Sequence, residues 1–153
     1  MGWTIVVGAD DAGFAYKDMF HRLLVADPRV DVVLDVGVDS AGSTPYPSVA
    51  FAAARLIAEG AADRGLLVCG TGLGVAIAAN KVAGIRAVTA HDSYSVERSV
   101  LSNNAQVLTM GARVIGPELA KKLVHEWLDL HFDPQSASAA KVELIDSYER
   151  GSA

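Results

Sequence analysis

Residues 65–74, Gly-Leu-Leu-Val-Cys-Gly-Thr-Gly-Leu-Gly, constrain this chain more than any other stretch. Leu66, Leu67 and Val68 form a short apolar run that reads as a buried strand. The run stops at Cys69, turns through Gly70, Gly72 and Gly74, and enters a helical pattern from Val75 to Asn80. A strand, a tight glycine turn and a helix together aim backbone N–H groups at an anion. The helix N-terminus adds about half a positive charge at the same place. A thiol at the strand tip therefore borders an electropositive nest, a setting that favours thiolate. Two other readings stand beside this one. A lone cysteine is most often an inert buried side chain. The glycines also resemble the dinucleotide fingerprint Gly-x-Gly-x-x-Gly, but the spacing here is Gly-x-Gly-x-Gly and the run falls mid-chain rather than after the first strand.

The rest of the chain repeats the strand–helix alternation. Residues 3–9 are apolar and β-branched without polar alternation, as suits a parallel strand covered on both faces. Asp10 and Asp11 follow at its carboxyl end, where open α/β sheets bind ligands and where a carboxylate also caps a helix. Phe14, Lys17, Phe20 and Leu24 then fall at helical spacing. A second strand is predicted over 30–36 and a breaker-rich loop over 37–47, with Tyr46 held extended between Pro45 and Pro47. Tyr46 there either lines a pocket or packs. A helix is predicted over 48–60. After the central strand and helix come a fourth strand (87–90) ending at His91-Asp92, a helix (93–101), and a fifth strand (107–110). Pro117 suits the first turn of the next helix, with Leu119, Leu123, Trp127 and Leu130 on one face. A small-residue linker (133–138) precedes a last helix over about 139–148. Five strands alternating with helices predict an α/β fold: a Rossmann-like, doubly wound parallel five-stranded sheet with helices on both faces.

The 153 residues suit a single domain over 1–153, and 51% apolar residues suffice for a sizeable core. A net charge of −5 with no basic stripe argues against a nucleic-acid partner. The single cysteine excludes an intramolecular disulfide framework and fits a reducing, cytoplasmic setting. No signal-like leader and no apolar run of roughly 18 residues is evident, so no membrane association is expected.

Asp10, Asp11, Cys69, Thr71, His91, Asp92 and Arg113 all fall at predicted strand carboxyl ends and should converge on one sheet edge. They offer a base (Cys69), amide donors for a developing oxyanion and a cation (Arg113). The four histidines (21, 91, 125, 131) are scattered, no metal cluster is legible, and a Cys69–His91 pairing is open.

Cys69-Gly-Thr-Gly-Leu-Gly74 followed by Asn80-Lys81-Val-x-Gly-Ile-Arg86 resembles the signature of the type B ribose-5-phosphate isomerase family of sugar-phosphate isomerases. Gly8-x-Asp10, Tyr46-Pro47, Ser102-Asn103-Asn104 and Gly111-x-Arg113-x-x-Gly116 are similar too, so the likeness runs from residue 3 to about 146. It implies interconversion of an aldose phosphate and its ketose by proton transfer through a cis-enediolate, without metal or organic cofactor. Cys69 would carry the proton, since the glutamate that replaces it in a subgroup six positions on is Val75 here. Thr71 and the amides of Gly70, Gly72, Leu73 and Gly74 would hold the enediolate oxygens. Asp10 and Asn103 would bind substrate hydroxyls, and Arg113 and Lys141 would face the phosphate. The resemblance also implies a homodimer or tetramer with sites shared between subunits, the last helix packing on a partner.

The departures bear on the substrate. Asp11 and Ser102 stand where the ribose-phosphate enzymes carry histidines, and 135–140, where a second arginine is expected, is uncharged. The histidine at the second place opens a furanose ring. A tetrose 4-phosphate cannot close such a ring, because phosphate blocks its terminal oxygen, and so needs no ring-opening acid. The runs Ser102-Asn103-Asn104-Ala-Gln106 and Val107-Leu-Thr-Met-Gly-Ala-Arg113-Val-Ile-Gly116 look more like the D-erythrulose 4-phosphate isomerase members of the family than like its ribose-phosphate enzymes. Ribose 5-phosphate, another pentose or hexose phosphate, and a non-catalytic sugar-phosphate-binding subunit are the alternatives.

Overall fold

Apolar runs build the strands, and their polarity sets their place in the sheet. The computed structural model describes residues 2–151. Its strands are β1 (Trp3–Ala9), β2 (Val30–Asp35), β3 (Arg64–Cys69), β4 (Ala87–Thr89) and β5 (Val107–Gly111). They pair in parallel in the order β2-β1-β3-β5-β4. Every residue of β3 and β5 is buried, as expected of strands covered on both faces. β2, which carries Asp31 and Asp35, is a half-exposed edge, and three-residue β4 is the other.

The helices are α1 (Phe14–Val25), α2 (Tyr46–Ala58), α3 (Leu73–Ala79), α4 (Ser93–Leu101), α5 (Pro117–Asp129) and α6 (Ala139–Glu149). Side chains alternate across each strand, so the sheet feeds two cores. Ile5, Val7, Leu66, Val68, Leu108 and Met110 meet Phe20, Leu24, Val96, Leu123 and Trp127 from α1, α4 and α5. Val6, Leu67, Cys69 and Val107 meet Ala50, Ala53, Ala54, Val75 and Ala79 from α2 and α3 on the opposite face. Full burial of one large side chain such as Phe20 or Leu123 contributes about 1.5–3 kcal/mol. The doubly wound fold expected of the sequence is the fold adopted.

The strand order places a winding reversal between β1 and β3. From β1 the chain crosses to β2 on one side, then returns to β3 on the other. Open α/β sheets bind ligands in the crevice at such a point. Asp10 follows β1, Cys69 ends β3, and the last pair before them is Ala9 with Val68. Cys69 in turn pairs with Gly111 on β5.

Several element ends differ from expectation. Tyr46 is not extended: Pro45 takes the extended conformation (φ −54°, ψ 134°) and α2 starts at Tyr46, two residues before Ser48. Pro47 then lies in the first turn, where a missing N–H costs no helical bond. α3 starts at Leu73 rather than Val75, directly off the glycine turn. The buried stripe of α5 is Ala120, Leu123, Val124, Trp127 and Leu128. Leu119 is exposed, and Leu130 caps the helix in extended conformation, because the stripe follows the turn of the helix one position away from those leucines. α6 is tied to the body by polar bonds, Gly84 N–H to Glu149 Oε2 at 2.6 Å and Arg86 to Asp146 at 2.6 Å. Leu144, Ile145 and Tyr148 of α6 are exposed, and Val142 is its buried residue. No helix among the described residues is long and apolar enough to cross a membrane.

Candidate active site

The turn after β3 is shaped by three backbone features. Gly72 has φ +79°, the left-handed region that glycine adopts without strain. A Cβ on it would lie 2.8 Å from the Met110 carbonyl carbon, so the turn sits directly on β5. The Gly72 N–H donates to the Sγ of Cys69 at 3.1 Å, and the Leu73 N–H donates to the Thr71 hydroxyl at 3.3 Å. The thiol is buried, 5% exposed, and accepts a backbone amide at the N-terminus of α3.

Beside it opens a cleft of about 630 Å³, lined by Asp10, Asp11, Ala12, Ser43, Thr44, Pro45, Tyr46, Gly70 and Arg113. Asp10 accepts the Gly13 N–H through Oδ1 at 3.0 Å, which holds the chain entering α1 and leaves a carboxylate at the cleft. Asp11 is exposed on the rim. Arg113 is anchored by its own N–H, which donates to the Gly70 carbonyl at 3.0 Å. Its guanidinium lies over Gly70, where a Cβ would come 3.3 Å from Nη1. The Tyr46 ring lies against Gly74 and also lines the cleft, so both roles considered for it hold. Leu73 is exposed at the start of α3. A cation, a carboxylate and hydroxyls beside a buried thiol suit a small polyhydroxylated anion. A larger hollow of about 790 Å³ at the opposite edge, around Trp3, Asp63 and His131, brings no thiol or amide nest with it.

His91 does not face the thiol. Its Nε2 accepts the Gly111 N–H at 2.9 Å, which requires the proton on Nδ1. Burial holds the imidazole below its ordinary pKa range. A Cys69–His91 pair is therefore replaced by a His91–Gly111 bond, because β5 intervenes between β3 and β4. Asp92 caps α4, accepting the Ser95 N–H at 2.7 Å.

Ser102, Asn103 and Lys141 are not gathered at the carboxyl edge. Ser102 caps the far end of α4. The Asn103 carbonyl accepts from Arg86 Nε at 3.1 Å, just ahead of the amino end of β4. Lys141 lies in α6, which is bound to Gly84 and Arg86 at that same edge. Two threonines went unread in the sequence. Thr109, wholly buried in β5, and Thr89 in β4 both place their hydroxyls on the Gly72 carbonyl, at 2.8 and 3.0 Å. Nothing local marks them, since threonine is an ordinary strand residue. Among the described residues no group of three or more His, Cys, Asp or Glu side chains is gathered as metal ligands.

Comparison with known proteins decides the family. The model of the Ribose/Galactose Isomerase family matches residues 5–145. The chain belongs to this family. As a Ribose/Galactose Isomerase family member it is an enzyme of the aldose–ketose isomerase kind. It is 67% identical over 150 residues to D-erythrulose-4-phosphate isomerase 2 of Mycolicibacterium smegmatis, covering 97% of this chain and 99% of that one. It is 48% identical over 147 residues to D-erythrulose-4-phosphate isomerase of Pectobacterium atrosepticum, covering 95% of each. The type B ribose 5-phosphate isomerase of Leishmania infantum superposes over the full length of both chains with a TM-score of 0.93 at 31% identity. The family fold thus extends over the whole described sheet and its helices.

Proposed function

We propose that this family member interconverts D-erythrulose 4-phosphate and D-erythrose 4-phosphate, Cys69 carrying the proton. The observation that carries the chemistry is the Cys69 Sγ at the winding reversal, accepting the Gly72 N–H beside a polar cleft. As thiolate it removes the proton from C1 of the ketose, giving a cis-enediolate, and returns it to C2. The proton on oxygen moves between O2 and O1. Charge developing on those oxygens meets Thr71 and the amides of 70–74, each such donor stabilising the transition state by about 3 kcal/mol. Asp10 accepts from substrate hydroxyls, and Arg113 faces the phosphate. No cofactor enters these steps.

The substrate is supported by the two relatives named for D-erythrulose 4-phosphate, which match nearly the whole chain. Ser102 agrees with it: an open-chain tetrose phosphate needs no ring-opening histidine. Because Ser102, Asn103 and Lys141 lie at the far edge, we propose that they serve the site of a second copy in a homodimer or tetramer. The whole of 1–153 is read as one catalytic domain working in the cytoplasm.

The test is a side-by-side assay of D-erythrulose 4-phosphate and ribose 5-phosphate with wild type and Cys69→Ala. Preference for the tetrose, with turnover abolished in a folded Cys69→Ala protein, is expected. Preference for the pentose would assign the chain to ribose 5-phosphate, the substrate named for the Leishmania structure. Wild-type turnover by Cys69→Ala would remove Cys69 as the base.

A further inference from the structure

The Gly72–Leu73 peptide has an unusual support. Thr89 and Thr109 stand opposite each other in the β4–β5 register. Their hydroxyl oxygens are 2.8 Å apart, and both reach the Gly72 carbonyl, Thr109 at 2.8 Å and Thr89 at 3.0 Å. That carbonyl also takes the Ala76 N–H of α3 at 3.3 Å. Two hydroxyl protons serve three short contacts. Every arrangement that uses those contacts leaves at least one proton on the Gly72 oxygen. Thr109 also lies 3.3 Å from the Val88 carbonyl, the longest of its contacts.

A trans peptide holds its C=O and N–H antiparallel. Tying the Gly72 oxygen down onto the sheet therefore turns the Leu73 N–H the other way, toward Thr71, to whose hydroxyl it donates. Gly72, at φ +79°, is also the residue at which a peptide flip meets least steric resistance. In the flipped state a carbonyl oxygen would face the place where negative charge develops, and the Leu73 N–H would leave the Thr71 hydroxyl. The Gly72 N–H, which belongs to the preceding peptide, would keep its bond to Sγ.

We infer that Thr89 and Thr109 are positioning residues that lock the Gly72–Leu73 peptide against flipping and so keep the Leu73 N–H of the turn, beside the Thr71 hydroxyl, on the oxyanion side. The inference rests on reading that turn as the binding place of the enediolate oxygens. The lock acts on the transition state more than on ground-state binding, since the charge it serves develops only during proton transfer.

The experiment compares wild type, Thr109→Val, Thr109→Ser and the Thr89→Val/Thr109→Val double variant. Valine keeps the shape and removes the hydroxyl, whereas serine keeps the hydroxyl. In the double variant kcat should fall about tenfold or more with KM within about twofold, and Thr109→Ser should recover most of the rate lost in Thr109→Val. Amide relaxation dispersion, which needs no activity, should be flat at Gly72 and Leu73 in wild type and show exchange in the double variant. Unchanged kcat together with flat dispersion in the double variant overturns the lock. A loss that serine does not restore, accompanied only by a lower melting temperature, also overturns it, in favour of packing. If the double variant does not fold, Thr109→Val alone carries the same comparison. Failure of the proposed base is told apart by Cys69→Ala: an active Cys69→Ala removes Cys69 from catalysis, while the dispersion result still decides the lock.

Discussion

The Tyr46 ring fills the space in which a Gly74 side chain would begin. A Cβ on Gly74 would lie 2.6 Å from Tyr46 Cε2 and 2.7 Å from Cζ. The first turn of α2 is thereby fitted to the first turn of α3, and the tyrosine is held at the wall of the cleft. Gly74→Ala should displace the ring, raising KM about tenfold while lowering stability by only about 1 kcal/mol, because Tyr46 is 41% exposed and can swing outward. Tyr46→Ala should make the added methyl harmless. In steady-state kinetics the double variant should resemble Tyr46→Ala alone, and full additivity would mean the two residues act separately.

Arg64 is a buried cation that forms no salt bridge with a carboxylate among the described residues. Its guanidinium donates to the Trp127 carbonyl at 2.8 Å and to the Leu130 carbonyl at 2.5 Å, and it lies 4.0 Å from the Trp3 ring centroid. These bonds close the C-terminus of α5, where the helix dipole favours a cation. Burial lowers its pKa to about 10, still charged at neutral pH. Arg64→Met should cost about 2–4 kcal/mol, because it strands carbonyls under the sheet and removes the stacking. Urea unfolding checks this, and a loss below about 0.5 kcal/mol would show that water takes over those carbonyls.

Acid should unfold the chain partly through Asp27. Arg29 hydrogen-bonds this carboxylate with Nε and Nη2 at 2.9 and 2.7 Å, which lowers its pKa from 3.8 to about 2. A carboxyl whose folded pKa is depressed adds stability above its unfolded value and loses it as pH falls toward the folded one. The contribution, about 1–2 kcal/mol, should therefore be whole above about pH 4 and fade toward pH 2. Asp27→Asn should flatten that part of the stability–pH curve, and an unchanged curve would place the acid sensitivity elsewhere.

His91 supplies a second pH window. Its pKa is lowered by burial, and its Nε2 must be unprotonated to accept the Gly111 N–H. For a histidine whose folded pKa is depressed, the unfolded chain binds the proton more readily. Stability therefore rises with pH through the window below the ordinary value of 6.5 and is level above it. Gly111 presses on Thr71, since a Cβ there would meet Thr71 Cα at 2.6 Å, so protonating His91 should also lower kcat. Imidazole NMR titration should give a midpoint below 6.5 for His91, with kcat falling over the same range. His91→Gln, keeping an acceptor, should remove the titration and retain most of the activity at neutral pH.

The sequence by itself determined the alternation of strands and helices, and with it the doubly wound sheet. It also determined the glycine turn that holds Cys69 at a strand tip. These depend on local properties: unbroken apolar runs, helical spacing, and glycines where only a left-handed or closely approached backbone fits. The cleft group of Asp10, Asp11, Gly70 and Arg113, with Cys69 at the adjoining strand tip, was legible for the same reason, because strand carboxyl ends in a parallel sheet share one edge. Only the tertiary structure decided which strands are neighbours. β5 inserted between β3 and β4 gives His91 to Gly111 instead of Cys69, and brings Thr89 and Thr109 to Gly72 across 17 and 37 residues. It likewise sends Ser102, Asn103 and Lys141 to the far edge, because α4 runs back to the amino end of the sheet before β5 begins and α6 is tied there through Gly84 and Arg86. Pairing order is a property of long-range packing between buried apolar strands that resemble one another locally, and no residue in a single strand encodes its neighbour.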